Sequence, residues 1–342
     1  MQSEEIKTLS SSLKKSATAP VQKSTKVRYT NQFFFLMEKI PHSTYGLIGL
    51  IILFSFIAPS FLCLSNFSLV LLQSSILLMV SLGMTIVILS EGIDLSLGAV
   101  LGLMGVVTTL LCHRGVGIVI SILGGLGVAC IFGLINGLFI SKAKLPPFIV
   151  TFGTMGMAQS LALVLSKGSS IPGLPTFIRF TGEGYLASIP VPVWIAGISC
   201  IFIYFVLSQT RFGTHVYGIG ASEESALLCG INVERCKILI YFLAALLASI
   251  GGLITIGRMN SAHPTVGIGM EFDAIAAVII GGTSLFGGEG GVLRTIIGTL
   301  IIGVLRDGLN LMGIPSTWQI SIIGVLILFA VVGDSLARRS KG

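Results

Sequence analysis

Apolar segments long enough to cross a membrane fill this sequence from about residue 45 to residue 335. A helix needs about 20 mostly apolar residues to span a bilayer, and ten segments approach that length. Only 10% of the 342 residues are charged, whereas soluble domains average about 25%. The sequence therefore predicts an all-α integral membrane protein with about ten transmembrane segments. They cover residues 45–61, 67–89, 96–111, 116–140, 147–165, 191–207, 238–256, 270–286, 292–311 and 317–333.

Three of these segments, 96–111, 147–165 and 270–286, are short and suggest broken or re-entrant helices. Such helices occur only where protein buries them or where they line a cavity. A chain with eight spans, without the short segments, is the main alternative. The 43 glycines are compatible with both ten and eight spans, because small residues let helices pack closely inside a bilayer.

The net charge of +7 is concentrated at the two ends of the chain, in residues 1–42 and 338–342. Lysine and arginine mark the cytoplasmic side of membrane proteins, so both termini are expected in the cytoplasm. The N-terminal tail, residues 1–42, is rich in Ser, Thr and Lys and is expected to be disordered. A nucleic-acid partner is not expected, because the basic residues flank apolar spans and do not form one face of a folded domain.

One polar passage interrupts the apolar pattern at residues 208–237, on the side predicted to be cytoplasmic. Its centre predicts a short helix for which Ser222 is a suitable N-cap. Glu223 and Glu224 then place negative charge in the first turn, and Gly230 suits the C′ position. A helix of about seven residues is not stable alone in water. It is therefore expected to dock on the membrane domain or on a separate protein.

The motifs of catalysis and metal binding are missing from this sequence. The six cysteines form no CxxC pair and have no histidine at metal-ligand spacing, so they are expected to be buried thiols that behave as small apolar residues. The glycine-rich stretch 281–291 lacks the lysine of a phosphate-binding loop, and its glycines are expected to permit tight turns. No cofactor or metal is expected on this chain.

Ionisable residues near the apolar segments are candidates for a translocation path or gate, because such groups face protein or water inside a membrane. Asp94 and Asp273 each stand near a predicted helix start, where capping is the alternative role. Arg306 and Asp307 are adjacent and cannot face each other on one helix. Each therefore needs its own partner, and a salt bridge between helices is favoured over contact with a charged solute.

A short internal repeat adds Asn136 to the path candidates. The stretch GLINGL (133–138) is similar to VLRDGL (304–309), and each follows an apolar segment led by Asp94 or Asp273. Many transporters are built from repeats whose interface holds the path. Asn136 and Asp307 align in this comparison, so both are expected to lie near such a path.

Four stretches form an ordered set of motifs between about residues 45 and 335. They are EGIDLSLGAVLGL (91–103), YGIGASEESALLCGINVERCK (217–237), RMNSAHPTVGIGMEFDAIAAVIIGGTSLFGGEGG (258–291) and GLNLMGIPSTWQ (308–319). This set resembles the ribose-type permeases, the membrane subunits of bacterial ATP-binding-cassette (ABC) importers for sugars. Arg306 and Asp307 depart from that family, which usually carries uncharged polar residues there.

The resemblance implies a permease domain over residues 43–337 that moves a monosaccharide or small polyol inward by alternating access across the bacterial cytoplasmic membrane. The chain would not be an enzyme, because ATP and Mg²⁺ would bind a separate ABC-type ATPase. An extracytoplasmic sugar-binding protein and a second permease copy, identical or related, are the other implied partners. Residues 208–237 would form the coupling loop, its glutamates facing the ATPase and its leucines packed beneath them. The implied coupling residues are Gly220, Ser222, Glu223, Glu224, Leu227 and Gly230.

An ion-coupled secondary transporter of a small polar solute is the alternative from a different class. Such a protein would use intramembrane carboxylates, here Asp94 and Asp307, to form an ion site, and it would need no ATPase. The long cytoplasmic loop favours the importer.

Overall fold

The computed structural model describes residues 43–339, and this part of the protein is predominantly helical. The predicted tail, residues 1–42, and residues 340–342 of the basic C-terminus lie outside the described residues. The helices are α1 (Ser43–Ile57), α2 (Leu64–Leu89), α3 (Leu97–His113), α4 (Ile118–Ser141), α5 (Pro147–Ser166), α6 (Thr176–Glu183), α7 (Val191–Gln209), α8 (Arg211–Ala221), α9 (Glu223–Leu228), α10 (Val233–Met259), α11 (Met270–Ile280), α12 (Val292–Leu311) and α13 (Ser316–Arg339). Four two-residue strands form two antiparallel pairs, β1 (Ile171–Pro172) with β4 (Ser261–Ala262) and β2 (Tyr185–Leu186) with β3 (Ile189–Pro190).

Each of the ten segments predicted from the sequence corresponds to one helix, namely α1 to α5, α7 and α10 to α13. Within the described residues, five helices are long and apolar enough to cross a membrane: α2, α4, α5, α7 and α10. The segment predicted over residues 270–286 is broken, as its short length suggested, since α11 ends at Ile280 and Gly282 has a φ of +102°. The apolar pattern predicts neither α6 nor α8.

The helices α2 and α10 form the centre of the bundle. From Ser74 to its end α2 is buried almost continuously, and α10 packs against α2, α3, α4 and α6. Helices in lipid gain little from apolar burial, so their association depends on close van der Waals packing. The fold therefore requires small residues where α10 meets its neighbours.

Glycines supply that close approach between α4 and α10. A Cβ added at Gly133 would lie 2.6 Å from the carbonyl oxygen of Tyr241, and one added at Gly137 would lie 2.6 Å from the Cα of Ile238. Both contacts involve backbone atoms, which cannot rotate out of the way. The two helices thus touch along their backbones, one helical turn apart.

Contacts between distant parts of the chain define two ends of the bundle. At one end, here called the α9 end, α8 and residues 281–291 contact Leu89, the last residue of α2. At the other, the α6 end, strand β1 pairs with β4 beyond α10, and the ring of His113 at the end of α3 lies 3.3 Å from the carbonyl oxygen of Gly173. Successive long helices run alternately between these two ends.

Replacing Gly133 with valine is expected to lower the melting temperature of the detergent-purified protein, because the new side chain would force α4 away from α10. Overpacking of this kind costs about 1–3 kcal/mol. Gly127→Val on the same helix is the matched control, since a Cβ there meets nothing within 4 Å. Equal melting temperatures for the two variants would contradict the described α4–α10 contact.

Candidate coupling surface and translocation cavity

The polar passage between α7 and α10 folds as α8 and the short helix α9. Ser222 caps α9, and its Oγ accepts a hydrogen bond from the backbone N–H of Ser225 at 3.1 Å. Glu223 and Glu224 occupy the first turn, and Gly230 follows the helix with a φ of +80°, a conformation that glycine adopts without strain. The predicted cap, acidic turn and terminating glycine are confirmed.

The side chains of α9 divide into a buried anchor and an exposed surface. Ala226 is buried, whereas Leu227 and Leu228 are 56% and 85% exposed. The expectation that the leucines pack beneath the glutamates is wrong, because the small Ala226 makes the contact with the core. Glu223, Glu224, Leu227 and Leu228 are all exposed on α9, and these four residues are here called the coupling surface.

An ion pair fixes α9 against α10. The Nζ atom of Lys237 lies 2.5 Å from Glu223 Oε2, and this pair joins the first residue of α9 to the fifth residue of α10. Glu224 has no such partner among the described residues. Of the two predicted acids, Glu224 is therefore the one whose charge is free to meet another molecule.

The helix α8 rests directly on the backbone at the α9 end. A Cβ at Gly220 would overlap the carbonyl oxygen of Leu89 and lie 2.6 Å from the backbone nitrogen of Gly288. The N–H of Gly288 in turn donates to Leu89 O at 3.0 Å. Burial raises the pKa of Tyr217, although Arg294 opposes the shift, so the phenol keeps its proton and donates to the carbonyl oxygen of Gly290 at 3.1 Å. The glycine-rich stretch is thus a packing element, as expected.

A cavity of about 500 Å³ lies between α2, α10, α11 and α12, within the usual range of 300–1,000 Å³ for ligand pockets. It lies towards the α6 end, because it is lined by the last turn of α10 and the first turn of α11. Its polar lining residues are Gln73, Ser74, Thr255, Arg258, Asp273 and Arg306. Polar groups that converge within an apolar bundle are suited to a small hydroxylated solute.

Asp273 and Arg306 form an ion pair in the wall of this cavity. Arg306 Nη2 lies 2.5 Å from Asp273 Oδ2, and the two side chains are 32% and 15% exposed. The pair joins the first turn of α11 to α12, so the favoured prediction of a salt bridge between helices is confirmed for Arg306. Arg258 also lines the cavity and makes no ion pair among the described residues.

Asp307 points away from its neighbour and bonds elsewhere. Its Oδ2 accepts a hydrogen bond from Asn66 Nδ2 at 2.7 Å, and Asn66 also donates to the carbonyl oxygen of Phe61 at 3.0 Å. This contact joins the start of α2 to α12. Asp307 is buried, but it does not line the cavity.

Asp94 and Asn136 belong to a separate buried network. Asp94 Oδ1 accepts hydrogen bonds from both the N–H and the hydroxyl of Ser96, at 2.9 and 2.6 Å. The Ser96 hydroxyl accepts from Asn136 Nδ2 at 2.9 Å, and Thr154 donates to Asn136 Oδ1 at 2.7 Å. The aligned residues Asn136 and Asp307 therefore make different kinds of contact, and the structure does not bring them together.

Residues 66–331 match a family described as the permease component of the branched-chain amino acid transport system. The chain belongs to this permease family. It is 44% identical over 291 residues to the ribose import permease protein RbsC of Bacillus subtilis, covering 84% of this chain and 90% of that protein. The identity is 37% over 312 residues with RbsC of Escherichia coli, covering 90% and 96%. It is 34% over 311 residues with the D-allose transport system permease protein AlsC of Escherichia coli, covering 90% and 95%. No solved structure gives a significant match.

The sequence predicts only part of the cavity lining. Asp273 and Arg306 were predicted, whereas Gln73, Thr255 and Arg258 were not. Gln73 carried a usable signal, because it is the one amide within the apolar pattern from residue 67 to 89. Arg258 has no comparable signal in the sequence, because its contact with the cavity depends on how α10 ends.

Arg306→Gln is expected to destabilise the permease by about 1–3 kcal/mol, because Asp273 would lose its charged partner while remaining largely buried. The double variant Arg306→Gln/Asp273→Asn should lose less stability than the two single variants lose together, since it leaves no unpaired charge. Chemical denaturation in detergent micelles would measure both.

The matched control is Arg179→Gln, which breaks an exposed i,i+4 pair with Glu183 and should cost less than about 1 kcal/mol. Additive effects at Arg306 and Asp273 would show that the two side chains do not interact.

Proposed function

We propose that this permease is the membrane subunit of an ABC importer that carries a monosaccharide or related small polyol into the cell. The relatives are named for ribose and D-allose, and a further one, 36% identical, is a fructose import permease protein of Rhizobium meliloti. All three are neutral sugars, rich in hydroxyl groups. The cavity lined by Gln73, Ser74, Thr255 and the Asp273–Arg306 pair offers the donors and acceptors that such a solute needs.

The observation that carries the proposal is the coupling surface. It combines acidic and apolar side chains on a capped helix too short to be stable by itself, and it projects at the end of the bundle where α8 meets α2 and residues 281–291. An ABC-type ATPase that binds ATP and Mg²⁺ would cover Leu227 and Leu228 and contact Glu224. The chain itself would hydrolyse nothing and would need no cofactor of its own.

The proposed topology has ten spans, α1 to α5, α7 and α10 to α13, with both termini in the cytoplasm. Support comes from the alternation of these helices between the two ends and from the basic residues at the chain termini. The α9 end would then face the cytoplasm of a bacterium across its cytoplasmic membrane. Exposed apolar side chains on α4, α5 and α7 would contact lipid.

The remaining partners follow from this orientation. The α6 end, with the β1–β4 and β2–β3 pairs, would face an extracytoplasmic sugar-binding protein. A second permease, identical or related, would complete the membrane part, because each ATPase of a pair needs a coupling surface to bind.

Glu224→Arg and Leu228→Arg are each expected to abolish ATPase binding while leaving the permease in the membrane. The first reverses the free charge of the coupling surface, and the second buries a charge in the interface. Purification of the tagged permease in mild detergent, with its companions identified by mass spectrometry, would measure the bound ATPase. Glu183→Arg is the matched control, because Glu183 lies exposed in α6 at the opposite end.

Uptake of labelled D-ribose, D-allose and D-fructose by cells carrying the same variants would complete the test. Loss of uptake in Glu224→Arg and Leu228→Arg is the expected pattern. Glu183→Arg is a control for ATPase binding only, because Glu183 lies at the end proposed to face the sugar-binding protein. A permease that purifies alone and whose uptake follows an ion gradient would instead support the secondary transporter.

A further inference from the structure

A continuous series of backbone contacts joins the coupling surface to the translocation cavity. It begins at Gly220, one residue before the end of α8, which lies against the carbonyl oxygen of Leu89. Gly287 extends the same contact, because a Cβ there would lie 2.7 Å from the Gly220 carbonyl oxygen and 3.1 Å from the backbone nitrogen of Glu91. Any displacement of α8 must therefore reach residues 89–91, because no flexible side chain separates the backbones.

Residues 90–96, here called the α2–α3 turn, receive that contact and bury a carboxyl group. Glu91 adopts a φ of +63°, an unusual conformation for a residue other than glycine. Three residues later Asp94 is fully buried, with Oδ1 bonded twice to Ser96 and Oδ2 without a partner within the described residues. The hydroxyl of Tyr241 is likewise buried and unpartnered in that part of the chain. The Tyr241 hydroxyl lies beside this turn, because a Cβ added at Gly92 would be 2.6 Å from it.

Hydrogen bonds also join the α2–α3 turn to two further helices, α4 and α5. Ser96 is the centre of this connection, because its hydroxyl donates to Asp94 and accepts from Asn136 of α4. Asn136 in turn accepts from Thr154 of α5. A second bond runs from the Thr151 hydroxyl to the carbonyl oxygen of Ile93 at 3.2 Å. The turn is thus bonded to α4 and α5 as well as to its own helices.

The series continues from the first turn of α3 to the cavity. A Cβ at Gly98 would overlap both the carbonyl oxygen of Gly267 and Oε2 of Glu271. Val266 and Met270, on either side of this contact, line the cavity, as does Asp273 one turn further along α11. The start of α3 is therefore in backbone contact with the wall that a solute would touch.

We propose that the α2–α3 turn, held by Ser96 and Asp94, transmits movement of the coupling surface to α4, α5 and the cavity wall. This inference rests on the proposed function. Ser96 and Asp94 are positioning residues, because neither lines the cavity nor belongs to the coupling surface. Their role is to keep ATP hydrolysis coupled to the opening and closing of the cavity.

Ser96→Ala tests this role with little change in volume, since the backbone N–H of residue 96 can still bond to Asp94 while the bridge to Asn136 is lost. The permease would be reconstituted in proteoliposomes with its ATPase and binding protein, using whichever of D-ribose, D-allose and D-fructose the wild type transports best. The amount of sugar moved per ATP hydrolysed is expected to fall about fivefold, the factor that corresponds to one lost hydrogen bond. ATPase binding and ATP turnover should persist.

Ser249→Ala is the matched control, because Ser249 is equally buried and its hydroxyl bonds to Leu246 O within its own helix. Thr154→Val provides a second test that retains side-chain shape, with Thr109→Val as its control, since Thr109 bonds to Gly105 O of its own helix. Both test variants should uncouple transport from hydrolysis, and both controls should keep the wild-type ratio.

The proposal is overturned if uptake and hydrolysis fall by the same factor in Ser96→Ala and Thr154→Val, or if the controls lose coupling equally. An unchanged ratio in both test variants overturns it as well. Failure of the proposed function is distinguishable, because the wild-type complex itself would then show no uptake driven by ATP.

Discussion

Direct backbone contact at glycine is the interaction on which the rest of this structure depends. Inside a bilayer the hydrophobic effect does not drive helices together, so their association requires surfaces that fit at the closest possible distance. The contacts of Gly133 and Gly137 with α10 hold the bundle together, and those of Gly220 and Gly98 connect its two ends. Close backbone contact at glycine thus serves both the stability of the helix bundle and the transfer of movement between its two ends.

Three carboxylates of this protein, Asp94, Asp273 and Asp307, occupy places where two elements must keep a fixed relation. The Asp273–Arg306 pair joins α11 to α12 at the cavity, Asp307 joins α12 to the start of α2 through Asn66, and Asp94 organises the α2–α3 turn. Each charge is costly in a membrane protein, and each is matched by at least one partner from elsewhere in the chain or the turn. These polar contacts therefore fix how the helices are aligned, because apolar surfaces alone would let one helix slide along another.

The sequence predicted most of the elements, because their signals are local. Apolar segments matched ten helices, and the pattern from Ser222 to Gly230 matched a capped short helix. The polar contacts between distant residues could not be predicted in the same way. The Asn66–Asp307 bond joins residues 241 positions apart, and Arg258 reaches the cavity only through the packing of α10. The exposure of Leu227 and Leu228 was missed for a related reason, because either face of a two-turn helix could have met the core.

That exposure has a consequence for how the cell must produce this protein. Leu228, 85% exposed at the tip of α9, gives an unassembled subunit an apolar site that chaperones and proteases recognise in incompletely assembled proteins. If an ATPase covers this site as proposed, a cell that synthesised the permease in excess of that ATPase would carry copies with the site uncovered. Balanced synthesis of the two subunits, as from one transcript, would keep the excess small.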